Sequence, residues 1–182
     1  MSNMKIYQAN ASKKVAGESI SVAVKAFYHS LIEELDQTTG YCRWKIGEHP
    51  SDDMLEEAIN QRELYLGIID QRIAACMVIN QYGDDYQKAT WDNDISEGEY
   101  LVIHVLGVHQ DFRRRGLAKE MVQFAIDLAR QNEKRAIRLD VLHGNLPAEE
   151  MYTSMGFRYV DTIKLFYECT GWADFELYEY LI

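Results

Sequence analysis

The sequence predicts a mixed α/β domain whose sheet is largely antiparallel, with one strand–helix–strand crossover. Three features carry this expectation. Apolar runs at 64–70 and 73–80 flank Gln71-Arg72 like the arms of a hairpin. A run at 100–108, apolar on both faces as a central strand must be, leads through a short turn into an amphipathic helix and then into an alternating strand at 135–142. Two more strand-like runs, 157–167 and 175–181, close the chain. Hairpins pair their strands antiparallel, whereas a helical crossover makes a parallel pair.

In chain order, 5–9 is a short strand. Over 15–35, Val15, Ile20, Val24, Phe27, Leu31, Ile32 and Leu35 recur at helical spacing, giving one helix or a broken pair. Ser51 can accept from first-turn amides, and Asp52 and Asp53 suit the positive end of a helix dipole, so a second helix runs to about Gln61. The interval 83–99 holds Asp84, Asp85, Asp92, Asp94, Glu97 and Glu99 and reads as a solvated loop, or a lid, between strands. Leu117, Met121, Phe124, Ala125 and Leu128 share one face of a helix over 117–129. In the following strand Ile137, Leu139 and Val141 alternate with polar neighbours. A last helix at 147–155 has Asn145 as its cap, Pro147 in its first turn and Gly156 at its end.

With 182 residues, two prolines, dispersed glycines and no repeat, 1–182 reads as one domain. Its 29 Asp+Glu against 19 Lys+Arg leave a formal charge of −10, so no nucleic-acid partner is expected: phosphates need a basic surface. The same charge disfavours anionic membranes and attracts cations. The longest apolar run, 73–79, falls far short of the roughly 18–20 residues that span a bilayer, and Met1-Ser2-Asn3-Met4-Lys5 leads into no secretory segment. Cys42, Cys76 and Cys169 are odd in number and form no CxxC, so neither a disulfide framework nor a cysteine zinc site is expected. A cytoplasmic location follows as the expectation.

Chemistry concentrates at the turn after Val108. Arg113, Arg114, Arg115 and Lys119 bring fixed positive charge to a helix start, where backbone amides lack intrahelical acceptors. Gly116 and Ala118 are small enough for close backbone approach, so the turn suits an anion, although a solvated basic turn would look alike from composition. No GxxxxGK[ST], GxGxxG or GxSxG is present. His104 and His109, five apart on a strand, fall on opposite faces and make a poor metal pair, so no metal is expected.

Arg113-Arg114-Arg115-Gly116-Leu117-Ala118 resembles the Q/R-x-x-G-x-G/A loop of the GNAT superfamily of acyl-CoA-dependent N-acyltransferases, with alanine at the second glycine. Downstream, Asn145, Ala148, Tyr152, Gly156 and Phe157 are similar to the family's N-x-x-A-x-x-x-Y-x-x-x-G-F helix. The resemblance implies a GNAT-type twisted sheet flanked by helices and transfer of acetyl from acetyl-CoA to a primary amine in a ternary complex. It implies that the amides of 113–118, including those of Leu117 and Ala118, hold the pyrophosphate, with Arg113, Arg114, Arg115 or Lys119 near it. The strand edge at Leu106 and Val108, splayed from 135–142, would take the pantetheine amides as an added strand and polarise the thioester. Asn145 would reach the pantetheine and Tyr152 would protonate the departing thiolate. A helix cap and a core aromatic are the plainer readings of those two residues.

On the strand face assigned to Val108, with Val102 and Leu106, His104 is the one base of useful pKa near neutrality. A β-bulge near Leu106-Gly107 would bring it within reach. A packed strand histidine is the plainer reading, and a water chain ending on Glu99 or an acceptor carboxylate is the other route for the proton. The acceptor pocket is expected from 36–50 and 167–173, where Tyr41, Trp44 and Trp172 accompany Asp36, Glu48, Glu168 and Asp174, a set suited to a small cationic amine. A protein lysine or N-terminus is the alternative acceptor, and a non-catalytic acyl-CoA-binding module the alternative function. Homodimerisation is left open.

Overall fold

The computed structural model describes residues 3–38, 41–83 and 85–182. Strands β1 (Lys5–Gln8), β4 (Leu64–Ile69), β5 (Arg72–Asn80), β6 (Tyr100–Val108), β7 (Ala136–Leu142), β8 (Arg158–Tyr167) and β9 (Gly171–Leu181) form one sheet in the order β1-β4-β5-β6-β7-β9-β8. Every neighbouring pair is antiparallel except β6 with β7, the pair joined by the crossover helix α3 (Leu117–Gln131). The remaining helices are α1 (Ile20–Thr38), α2 (Asp52–Asn60) and α4 (Leu146–Ser154).

Alternation along the strands sends each strand's side chains to two faces. Leu64, Leu66, Cys76 and Val78 meet α1 and α2 through Val24, Phe27, Tyr28, Leu31, Leu55 and Ile59. Tyr65, Ala75, Met77, Leu101, Ile103, Ile137 and Leu139 meet α3 and α4 through Met121, Val122, Ala125, Ile126 and Tyr152. Each large apolar side chain buried this way contributes about 1.5–3 kcal/mol.

Four expectations change. Val15 is not helical: β2 (Lys14–Val15) and β3 (Glu18–Ser19) form a small hairpin that turns through Ala16 and Gly17, at φ +50° and +90°, before α1 begins. The β4–β5 turn is Asp70-Gln71, both at positive φ, because a two-residue hairpin whose twist matches its strands needs that backbone. β9 starts at Gly171 rather than 175, so the β8–β9 connection is only 168–170 and Trp172 lies on a strand. The 83–99 connection is more than a solvated loop. Its Tyr86 and Ile95 are buried on Tyr100, Val102, Ala136 and Leu177, a third small core on the α1 side of the sheet.

Candidate active site

The site begins where the sheet comes apart. β6 pairs with β7 only at Tyr100–Ala136, Leu101–Ile137 and Val102–Arg138, so beyond Val102 the two strands diverge. On its other side β6 carries a bulge: Cys76 faces Gly107 but Val78 faces His104, two steps on β5 against three on β6. The bulge lies at Val105, whose φ of +47° is costly for a β-branched residue, on the order of 1–3 kcal/mol. The surroundings hold it there. The hydroxyl of Tyr28, fully buried on α1, donates to the Val105 carbonyl at 2.8 Å. Gly107 lies so close to α1 that a Cβ there would come within 2.4 Å of Leu31.

The bulge corrects the face assigned to His104. Leu106 and Val108 pack toward the α3 core with Leu101 and Ile103, whereas Val102 and Val105 face the other side. The extra residue therefore separates His104 from the Leu106–Val108 face by switching the alternation between them.

The turn at 113–118 has the predicted local form. A short helical turn ends at Phe112, and Gly116 stands at φ +78° as the residue before α3, with open space where a Cβ would be. Glu120 donates the first backbone bond of α3, to Gly116; among the described residues the amides of 114–119 have no backbone acceptor. The cations divide. Arg113 is held by Glu34 of α1, pairing with both carboxylate oxygens, and donates from Nε to the Val108 carbonyl at 3.4 Å. Arg115 donates to the Asp111 carbonyl at 3.1 Å and stacks over Phe112. Arg114 and Lys119 are exposed and make no ion pair among the described residues, so these two, rather than Arg113, are the cations available to an anion here.

A cavity of about 390 Å³ opens in the gap between β6 and β7 and runs toward the α1 side of the sheet. Leu106, Asn145, Ala148 and Tyr152 line its inner end. Asn145 stands before α4, but its side chain makes no capping bond; the free Gly144 amide is met by Glu149 instead, at 3.2 Å. Tyr152 is 7 % exposed, and burial, with the Asp140 charge added, pushes its phenol well above the usual range. It therefore carries its proton at neutral pH.

The outer end departs from expectation. Tyr41 and Trp44 line it, but Trp172 is 64 % exposed and packs on Phe166, and none of Asp36, Glu48, Glu168 and Asp174 reaches the lining. Asp174 is paired with Lys164 across the β8–β9 ladder, at 2.8 Å. The lining is instead drawn from Arg43, His49, Asn80, Tyr82, His104, Asp140 and Tyr167. His104 Nε2 lies 2.9 Å from Asn80 Oδ1 and 3.0 Å from the Tyr82 carbonyl. Both are acceptors, so Nε2 carries the hydrogen and Nδ1 is the basic atom of the neutral ring. His49, stacked against Tyr167, is driven down to about 4 by burial and by His104, so it is uncharged near neutrality. His49 and Asp140 were not anticipated: one sits in an irregular loop and the other looks like any polar member of an alternating strand.

Among the described residues no cluster of His, Cys, Asp and Glu fits a metal, and no helix is long and apolar enough to cross a membrane. Residues 27–157 match the sequence profile of the acetyltransferase (GNAT) family. An uncharacterized N-acetyltransferase of Methanocaldococcus jannaschii is 32% identical over 74 residues, 41% of this chain and 33% of its own. The UPF0157 protein YqkA of Bacillus subtilis is 38% identical over 65 residues, 36% of this chain. The matched stretches thus span only 33% and 18% of these curated relatives. In fold, a GNAT-family acetyltransferase from Streptococcus agalactiae superposes with a TM-score of 0.76 at 19% identity, covering 98% of this chain and 95% of that one. The yncA protein of Salmonella typhimurium, solved with acetyl-CoA, gives 0.67 at 15% identity, covering 99% and 94%.

Proposed function

The chain belongs to the GNAT acetyltransferase family, and from that premise we propose that it transfers the acetyl group of acetyl-CoA to a primary amine by direct attack in a ternary complex. The observation that carries the reading is the gap between β6 and β7. It places an unpaired strand edge, a buried phenol and an uncapping asparagine at one end of a cavity, on the strand that leads into a turn rich in acceptorless amides. A structural neighbour bound to acetyl-CoA supports the donor.

The chain's groups then divide the work. The amides of 114–119, with Arg114 and Lys119, hold the pyrophosphate, and the helix dipole of α3 adds partial positive charge. The β7-facing edge of β6 near Leu106 and Val108 pairs with the pantetheine amides as an added strand, while Asn145 meets that arm from α4. Main-chain donors at the bulge polarise the thioester carbonyl. Tyr152 gives its proton to the departing thiolate. Its raised pKa keeps it protonated until the thiolate leaves. His104, held at Nε2 by Asn80 and the Tyr82 carbonyl, positions the acceptor end of β6 rather than taking the proton itself.

The acceptor is a small amine, by the size of the cavity. A lysine side chain or a protein N-terminus entering past Tyr41 and Arg43 is the alternative. Titration calorimetry with acetyl-CoA, followed by thiol release with spermidine, 2-phenylethylamine, glucosamine and a lysine-containing peptide, tests the reading. Saturable acetyl-CoA binding and turnover with at least one amine are expected. Binding without turnover on any amine would leave an acyl-CoA-binding module, and no binding would remove both.

A further inference from the structure

Resting on the acetyl-transfer reading, we propose that Asp140 holds the acceptor's amino nitrogen and takes its proton. Among the described residues lining the cavity, Asp140 is the one carboxylate. It stands on β7 beyond the last β6–β7 pair, on the half of the strand that faces the gap. Alternation puts it on the opposite face from Leu139 and Val141, which pack in the α3 core, so it opens to the acceptor side. Its negative charge is felt at Tyr152, which places the two groups within electrostatic reach of each other.

Asp140 is also fixed in place. The Tyr86 hydroxyl donates to its Oδ1 at 2.6 Å, and Tyr86 is 1 % exposed, locked in the small core under the 83–99 connection. Trp91 Nε1 in turn donates to the Tyr86 carbonyl at 2.8 Å, so the segment carrying that hydroxyl is itself tied down. The bond from Tyr86 orients the Asp140 carboxylate. His104, by contrast, spends its Nε2 hydrogen on Asn80 and Tyr82, bonds that join β6 to the end of β5 and leave the ring a positioning role. This gives the 83–99 connection a purpose in the reaction: it sets the acceptor's carboxylate.

The step balances as follows. The acceptor arrives as an ammonium, pairs with Asp140, and loses one proton to solvent. The amine's lone pair forms the N–C bond to the thioester carbon, and the carbonyl π pair moves to oxygen. As that bond forms, the nitrogen becomes acidic and its surplus proton passes to Asp140. The carbonyl re-forms, the C–S bond breaks with its pair on sulfur, and sulfur takes the proton of Tyr152. Asp140 then returns its proton to the phenolate. Ammonium and acetyl-CoA have become an amide, the CoA thiol and one proton in solution.

Two measurements test this on the full chain. In Asp140→Asn, kcat/KM for 2-phenylethylamine is expected to fall about 10²–10⁴-fold, while Kd for acetyl-CoA stays within about threefold. Retained turnover, a matching loss of acetyl-CoA affinity, or a larger loss in His104→Gln would each overturn the assignment. The second measurement needs no variant. With CoA bound, so that no transfer takes place, the wild-type protein should bind 2-phenylethylamine at least about tenfold more tightly than neutral 2-phenylethanol, a gap of about 1.4 kcal/mol. Equal binding of the two would sink the proposal even if Asp140→Asn failed to fold. Wild-type protein that turns over no amine while still preferring the ammonium would instead count against the acetyl-transfer reading.

Discussion

One end of the cavity is lined by Leu106 on β6 and by Asn145, Ala148 and Tyr152 at α4, and β6 leads on into the turn at 113–118 and the start of α3. The acceptor end takes Trp44 and His49 from one loop, Asn80 from the end of β5, Asp140 from β7 and Tyr167 from β8. On the acetyl-transfer reading proposed above, the first end binds largely with main-chain groups, whose placement needs only a glycine and a helix start. The second is lined by side chains, each aimed by a different part of the fold. Loss of one main-chain donor site should therefore be severe and local, while acceptor-end changes should read out in catalysis and in pH behaviour.

The largest expected effect tests the cofactor end. Gly116→Glu puts a carboxylate into the space a phosphate would take, and acetyl-CoA affinity should drop more than about 100-fold by calorimetry. The residue sits at φ +78°, so the variant also loses about 1–2 kcal/mol of stability from left-handed backbone, and the thermal transition should remain cooperative but lower. Normal affinity in the folded variant would move the phosphate site elsewhere. Next in size is Tyr152→Phe, which keeps the ring packed on Phe157 and deletes only the hydroxyl. Expected are a Kd for acetyl-CoA that barely moves and a kcat about 10–10³-fold lower. Unchanged turnover with chemistry rate-limiting would make Tyr152 a packing residue.

The same contrast explains what could be read in the sequence. The central strand, the crossover helix and the turn at 113–118 were legible because periodicity and a glycine at a helix start are local signals. The splay of β6 from β7 followed from the resemblance, and the pairing stops at Val102 as it requires. The face of His104 was read wrongly because simple alternation was carried through Val105, and one residue at positive φ switches every side chain beyond it. Nothing near Arg113 in the sequence marks Glu34, 79 positions away, as its partner. The acidic acceptor set failed for the same reason: charge in a loop says nothing about which way it points, whereas Asp140 is aimed by Tyr86 from 54 positions away.

A third prediction concerns acid stability at the acceptor end. His49 is held neutral with its pKa lowered from 6.5 to about 4, so between those values the unfolded chain binds a proton that the folded chain refuses. Stability from this group is therefore complete above about pH 6.5, falls as pH drops toward 4, and levels off below. The full difference is about 3 kcal/mol. Urea unfolding of wild type and His49→Gln at pH 7 and pH 4 should show the variant losing less by roughly that amount. Parallel losses would mean that the imidazole is more solvated than its place beside Tyr167 implies.

The smallest expected effect tests what joins the two ends. Tyr28 is on α1, its ring meets Trp44 of the acceptor loop edge-on at 6.1 Å, and its hydroxyl holds the Val105 carbonyl in the bulge. The same helix carries Glu34, which grips Arg113 at the turn before α3. Tyr28→Phe keeps the ring and strands a buried carbonyl, a cost of about 1–3 kcal/mol. The bulge then loses the bond that steadies Val105 at φ +47°, and the main chain near Leu106 should relax toward regular pairing with β5. If the bulge serves the thioester, kcat should fall severalfold while the Kd for acetyl-CoA, set mainly at 114–119, holds. A stability loss with unchanged kcat would confine Tyr28 to the core. A rise in Kd as large as the fall in kcat would mean that α1 positions the cofactor end as much as the reacting carbonyl.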